Sequence, residues 1–337
     1  MVAGQANELT EDEAELYDRQ IRLWGLESQK RLRNSRILII GVKGFGAEIA
    51  KNIILSGVKS VVLLDDGVLT EEDTCSQFLA PVELVGSSRA EASLMRAQAL
   101  NPMVNITADT SRIQEKNENF FKNFDVVIAT ECTLSELKRI NQICRGNNIK
   151  FFCGDVYGMF GYIFADLQVH QYVEEVTKLP SGKGDGKKKL EPVKITVKDT
   201  ANFVSLSKAL GVDWSKPENA KKLTKMDYSY FLMRVLLEFR TKYNRKPDPK
   251  NRMADIDTLS SLSKTVLTSL QVPQDKIPTT VFSNVFAEIS PVCAIVGGVV
   301  SQEIVKAVSQ REAPHNNFFF FNPDNFCGFV ETHSSSD

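Results

Sequence analysis

Arg36–Gly67 reads RILIIGVKGFGAEIAKNIILSGVKSVVLLDDG, and this stretch decides the fold. Arg36–Ile40 is a short β-branched run that predicts a buried strand. Gly41, Gly44 and Gly46 punctuate a tight turn. Ala47–Leu55 then carries Ile49, Ile53 and Ile54 at helical spacing, and Gly57 stands where such a helix should end. Val61–Leu64 predicts a second buried strand, closed by Asp65 and Asp66. Strand, glycine turn, helix, strand is the opening of a nucleotide-binding α/β domain. Glycines let backbone approach a phosphate, and a helix amino terminus offers free N–H groups and a positive dipole end. Lys43, in the middle of the turn, is the discordant residue.

Working outward, the strand–helix alternation continues. Ser88–Leu100 predicts an amphipathic helix stopped by Asn101-Pro102. Val104–Ala108, Asp125–Ala129 and Ile149–Cys153 predict strands, with a helix over Leu134–Arg145. Continuous apolar strands alternating with helices imply a mostly parallel, Rossmann-like sheet covered on both faces. Upstream, Asp12–Leu32 predicts a helix broken or bent at Gly25. Downstream, Gly154–Asp166 is glycine- and aromatic-rich and predicts antiparallel strands. Lys178–Lys189 predicts a mobile loop, and Asn219–Lys242 and Asp255–Leu270 predict helices. Val281–Ala307 predicts a compact helical return whose Gly297-Gly298 pair implies close backbone packing. Phe318–Phe321 predicts a buried strand and Phe326–Val330 its hairpin partner. The expected organisation is a disordered amino terminus (1–11) and the first half of the domain (12–170). A loop and mainly helical insertion (171–280), the completing helices and strands (281–330) and a polar tail (331–337) follow.

The 337 residues carry a net charge of −1, which gives no bulk reason to expect nucleic acid or an anionic membrane as partner. No apolar run approaches the ~20 residues of a spanning helix by inspection. The acidic, polar amino terminus resembles neither a secretory signal nor a transit peptide, so an intracellular protein is expected. Six cysteines and three histidines form no Cys-x-x-Cys pair or tetrahedral framework, so no metal site is expected. None of the cysteines lies between Cys153 and Cys293.

Leu16–Gly25 (LYDRQIRLWG), the glycine turn, and Pro291–Phe321 (PVCAIVGGVVSQEIVKAVSQREAPHNNFFFF) together resemble the adenylation-domain family that activates ubiquitin-like proteins, the group of MoeB and ThiF. The match spans Leu16 to about Val330. Within the family it is most similar to the branch of smaller subunits of SUMO-activating heterodimers. The resemblance implies a ThiF/MoeB-type adenylation fold. Active members bind ATP and Mg2+ at the glycine turn and join AMP to the carboxy-terminal glycine of the modifier. A cysteine in the larger subunit's inserted domain then takes the modifier as a thioester.

Set against that description, the turn has decayed. The active G-x-G-G-x-G is Gly41-Val42-Lys43-Gly44-Phe45-Gly46 here, and Lys43 should crowd a phosphate. Asp65-Asp66-Gly67 lacks the last Asp of D-x-D, which holds the ribose. Cys75 and Ser76 stand at the asparagine and arginine positions of N-x-N-R-Q-F. The phosphate lysine falls at Arg89, and the magnesium aspartate is aligned with Cys132, whose thiol suits that ion poorly. The resemblance therefore implies a vestigial pocket at Gly41, Lys43, Gly44, Gly46, Asp65 and Arg89. ATP and Mg2+ would be bound by a larger partner subunit, which would also carry the zinc site and the thioester cysteine. Arg19, in Tyr17-Asp18-Arg19-Gln20, matches the arginine that enters the partner's ATP site in trans, with Arg22 a secondary candidate. SUMO proteins and the larger subunit are the expected partners, and the nucleus is the expected location.

Simpler readings stand beside these. The five departures favour reading the 36–67 unit as a βαβ that retains the fold only. Asp65 or Asp66 would suit a homodimeric NAD(P)-dependent oxidoreductase, and a pure scaffold or the small subunit for another ubiquitin-like modifier are further alternatives. Arg19 alone would pass for a surface cation. Leu23, Trp24 and Leu26 fit either a partner patch or ordinary core. Cys132 and Cys153 are expected to be inert buried thiols. Lys187-Lys188-Lys189 is too short to separate a nuclear-import signal from a solvated loop.

Overall fold

The computed structural model describes residues 9–178, 193–322, 324 and 327–335. The chain starts with α1 (Glu11–Leu16), α2 (Asp18–Trp24) and α3 (Leu26–Asn34). Thr10 and Glu13 cap α1 reciprocally. Gly25, at φ 88°, breaks the predicted single helix between α2 and α3. The βαβ unit follows as β1 (Arg36–Ile40), α4 (Gly44–Leu55) and β2 (Ser60–Leu64). Ser88 accepts from the Glu91 N–H and caps α5 (Arg89–Leu100), which leads to β3 (Asn105–Asp109). Then come α6 (Glu118–Phe121), β4 (Val126–Ala129), α7 (Leu134–Gly146), β5 (Lys150–Tyr157) and β6 (Phe160–Asp166).

An eight-stranded sheet has the order β10-β9-β6-β5-β4-β1-β2-β3, with β9 at Phe318–Phe321 and β10 at Gly328–Glu331. The pairs among β1–β5 are parallel, and β6, β9 and β10 join antiparallel. The strand order reverses at β1, between β2 and β4. In such sheets a crevice opens there, outside the strands' carboxyl ends. Phe318–Phe321 is wholly buried, as its uninterrupted apolarity predicts.

One expectation fails in the insertion. β7 (Val169–Lys178) and β8 (Val193–Asn202) form a ten-residue antiparallel ribbon where only a loop and helices were expected. Its strands mix valines with charged residues and carry no buried apolar run, so they lack the signal of a core strand. Beyond Lys178, the predicted glycine- and lysine-rich loop lies outside the described residues, as do the first eight residues and Lys187–Lys189.

The helices that follow are α8 (Leu206–Leu210), α9 (Pro217–Lys225), α10 (Ser229–Tyr243) and α11 (Arg252–Ser269). They do not stand apart. Phe231, Leu232, Val235, Leu236 and Phe239 of α10 are fully buried in the core that also contains Phe151, Phe160 and Phe318.

α12 (Ser290–Ser309) covers the opposite face with α4. A Cβ on Gly297 would sit 2.8 Å from the Glu48 Cβ, which is the close packing its glycine implied. This helix corrects the inspection for spanning runs: its 20 residues are long and apolar enough to cross a membrane. Two-thirds of the apolar window is buried inside the fold (67%), so core packing accounts for it. The polar tail is also folded in part. His333 is fully buried, its ring centroid 4.4 Å from that of Tyr230, and Asn317 bonds its backbone on both sides.

Candidate functional site

The turn after β1 lies at the strand-order reversal. Gly41 adopts φ 81°, and a Cβ there would meet the Thr130 Oγ1 at 2.3 Å. A Cβ on Gly46 would lie 2.0 Å from the Gly41 carbonyl oxygen. Both glycines are therefore required by the turn itself, with or without a ligand. The space above Gly44 is taken by Ser76, whose Oγ would be 2.2 Å from a Cβ. Lys43 borders a cavity of about 470 Å³ that also touches Cys75, Ser76, Lys246, Lys250 and Glu288.

Asp65 and Arg89 do not face that cavity. The Val42 and Gly67 N–H groups donate to the Asp65 carboxylate at 2.7 and 2.8 Å. Arg89 Nη1 donates to both Asp65 oxygens at 2.8 Å, and its Nε donates to Asp73 at 3.1 Å. Burial opposes the Arg89 charge, but Asp65 and Asp73 outweigh it and raise its pKa. Arg89 Nη2 also donates to the Val68 carbonyl at 3.0 Å, so each of its three nitrogens is engaged in bracing the loop after β2. The same network consumes the acidic group an NAD(P) oxidoreductase would use on ribose, while Asp66 faces solvent, 3.9 Å from Arg112.

Cys132 is the inert buried thiol that was expected. Its thiol is buried in the core and held neutral, with burial raising its pKa well above the usual range. Its neighbour Glu131, just past the end of β4 and in a left-handed conformation at φ 61°, turns toward the cavity-lining Lys43. Lys43 Nζ lies 3.6 Å from it.

Glu131 belongs to a knot the sequence reading missed. Lys246, between α10 and α11, places its ammonium among three carboxylates. It contacts Glu131, lies 3.0 Å from Asp155 Oδ1 and lies 2.6 Å from Glu288 Oε1. It also donates to the Val156 carbonyl at 3.1 Å. Arg240 Nη2 lies 3.1 Å from Glu131, and its Nη1 donates to the Glu131 carbonyl at 2.7 Å. Burial opposes the charge on Lys246, yet Asp155, Glu131 and Glu288 hold its pKa well above normal. Burial would raise Glu131, but Arg240, Lys246 and Lys43 keep it well below the carboxylate range. Asp155 is raised, because its burial outweighs Lys246 and Arg240.

The other Glu288 oxygen, Oε2, accepts from the Phe45 N–H at 3.0 Å, at the amino terminus of α4, and from the Cys293 thiol at 3.8 Å. An internal carboxylate thus takes the place the helix dipole offers to a phosphate. The pocket does not fit ATP and Mg2+: its anion position, its cation position and the space above Gly44 are occupied by the chain's own groups. Two signals pointed to this knot. Asp155 sits inside an apolar strand run, and Arg240 sits on the apolar face of α10. Each is a buried charge that demands a partner.

α2 is arranged oppositely. Tyr17 packs its ring on Gly57 and accepts from Asn101 Nδ2 at 2.9 Å, while Gln20 donates to the Leu55 carbonyl at 2.9 Å. Arg22 is paired with Asp18 at 3.0 Å. Arg19 is exposed and has no hydrogen bond or ion pair among the described residues. Leu23 (76% exposed) and Leu26 (45%) lie open, whereas Trp24 packs partly against the core. A groove of about 250 Å³ runs beside them between α2, α4 and α12. α12 turns Pro291, Ala294, Ile295, Gly298 and Gln302 outward at helical spacing next to it.

Comparison with known proteins gives one family match, to the ThiF family over residues 17–335. The SUMO-activating enzyme subunit 1 of Xenopus tropicalis is 48% identical, covering 98% of this chain and 99% of its own length. Those of Danio rerio and Homo sapiens are also 48% identical, covering 97% and 96% of both chains respectively.

Proposed function

The chain belongs to the ThiF family, and from that premise we propose that it is the non-thioester-forming subunit of a SUMO-activating heterodimer. A larger homologous subunit supplies the ATP and Mg2+ site, the zinc site and the nucleophilic cysteine. The heterodimer joins AMP to the carboxy-terminal glycine of SUMO with release of pyrophosphate, and SUMO then passes to the partner's thiol. A thioester needs a thiolate, and the stretch between Cys153 and Cys293 contains no cysteine. The open face of α2 and α12 meets the larger subunit. Arg19 reaches across it, and its fixed charge stabilises negative charge developing on the α- and γ-phosphates. Nuclear residence is part of the same proposal.

One observation carries this reading: Arg19 stands exposed on a helix whose neighbouring motif residues, Tyr17 and Gln20, are anchored inward. A side chain held out from a braced helix suits action on another molecule. SUMO-dependent ATP–pyrophosphate exchange tests it. The isolated chain should show none, and the chain mixed with its larger partner should show robust exchange. Substantial exchange by the chain alone would refute the proposal. A scaffold without catalytic contribution is separated from it by Arg19→Ala, discussed below.

A further inference from the structure

We infer that the cavity beside α4 is closed from within by an ion-pair plug, in which Glu288 stands where a phosphate would bind and Lys246 where its divalent cation would sit. The inference rests on the reading above, that this chain does not process ATP, and says what keeps its own pocket shut.

Glu131, Asp155 and Glu288 come from the end of β4, from β5 and from the segment before α12. Their oxygens lie within 4.8 Å of one another, a donor set that suits a hard divalent cation. An ammonium already fills their centre, 3.0 Å from Asp155 and 2.6 Å from Glu288. Lys246 is also 5.1 Å from the Tyr157 ring centroid, which backs its charge with an aromatic face. Three carboxylates thus face three cations, Lys246, Arg240 and Lys43, so the cluster is balanced without any ligand. The loop that carries Lys246 is itself pinned. Arg245 makes a fork with Asp255 at 2.6 and 2.8 Å, and the Asp248 N–H donates to the same carboxylate at 2.8 Å.

The plug excludes a nucleotide by competition. A triphosphate using the Phe45 N–H must first displace Glu288, and that separates Glu288 from Lys246 inside a mostly buried site. Removing the Glu288 carboxylate alone frees the helix terminus and leaves the cluster one positive charge in excess, which attracts phosphate.

The full chain, titrated with a fluorescent ribose-labelled ATP in Mg2+, tests this. The wild type should show no saturation at millimolar nucleotide. Glu288→Ala should bind at least about tenfold tighter, with affinity falling as salt rises. Glu288→Gln, which keeps the shape and loses the charge, should gain less than Glu288→Ala and serves as the test if the alanine variant does not fold. Hydrogen exchange at the Phe45 amide should be slow in the wild type and faster in Glu288→Ala. Folded Glu288 variants that bind no tighter than wild type would overturn the plug while leaving the proposed function intact. ATP–pyrophosphate exchange by the isolated wild-type chain would instead overturn the proposed function.

Discussion

The two ends of the α4 layer present opposite surfaces. At its amino terminus every charged group is matched by another of the same chain: Glu288 to Phe45 and Lys246, Glu131 to Arg240 and Lys43, Arg89 to Asp65 and Asp73. At its carboxyl end, next to Leu55, α2 holds out Arg19, unpaired among the described residues, and exposed leucines beside an open groove. The first region has the outline of a nucleotide site but is satisfied without one. The second has no outline of a site and is unsatisfied alone. The difference is one of electrostatic satisfaction: buried charges at one end are paired within the chain, and an exposed charge on a braced helix at the other is left to solvent or to the partner proposed above.

The harshest way to break that comparison is Lys246→Met. It leaves three clustered carboxylates without their central cation, and losing one partner of a buried ion pair costs about 3–5 kcal/mol. Thermal or denaturant unfolding should show a loss of that size. An unchanged midpoint would mean that the cluster is not held by Lys246. Arg19→Ala is the reciprocal change at the open end. Chain stability and heterodimer formation should be preserved, while adenylate formation by the heterodimer falls roughly 100-fold, the scale of a lost transition-state cation. An unchanged rate would return Arg19 to the status of a surface cation.

Acid titration sharpens the contrast inside the fold. Burial lowers the pKa of His170 to about 4 and also lowers that of His333, from an ordinary value of 6.5. The unfolded chain therefore takes up protons below pH 6.5 that the folded chain refuses. Their stabilisation is complete above 6.5 and is lost as pH falls from 6.5 toward about 4 for His170. The loss should reach on the order of 2–3 kcal/mol. Glu131, held well below 4.5, supplies stability that persists until the pH drops below that value. Melts between pH 7 and 4.5 should therefore register the histidines, and Lys246→Met should shift the curve without removing that slope. The smallest effect is expected from Leu23→Ser. Its side chain is 76% exposed, so the isolated chain should change by less than about 0.5 kcal/mol. Binding to the larger subunit should weaken by about 1–2 kcal/mol, measured by titration calorimetry.

Much of the sheet was legible from local pattern. β1, α4, β2, α5, β4, α7 and β9 each carry a period, a cap or an unbroken apolar run, and the structure places them within a few residues of expectation. The β7–β8 ribbon and the folded tail were not legible. The ribbon buries no continuous apolar face, and His333 is buried only because Tyr230, Trp214 and Phe318 converge on it from elsewhere in the chain. At the site, the motif pointed to Arg19, Lys43 and the glycines. It also placed Arg89 in a vestigial phosphate pocket, whereas its side chain is turned into contacts with Asp65 and Asp73, and it read Cys132 as a buried thiol, which it is.

The Rossmann-like frame and the lack of any cysteine between Cys153 and Cys293 were legible in the residues alone, while the departures from an ATP-binding turn were visible only against the resembled family. The frame follows from residue types at fixed short spacings, which steric and hydrogen-bonding rules translate directly into local structure. Only the tertiary structure decided what fills the empty site. Glu131, Asp155, Lys246 and Glu288 are separated by up to 157 residues, and no local rule couples them. Packing alone brings their charges within bonding distance, and the cost of burying any one unmatched keeps them together.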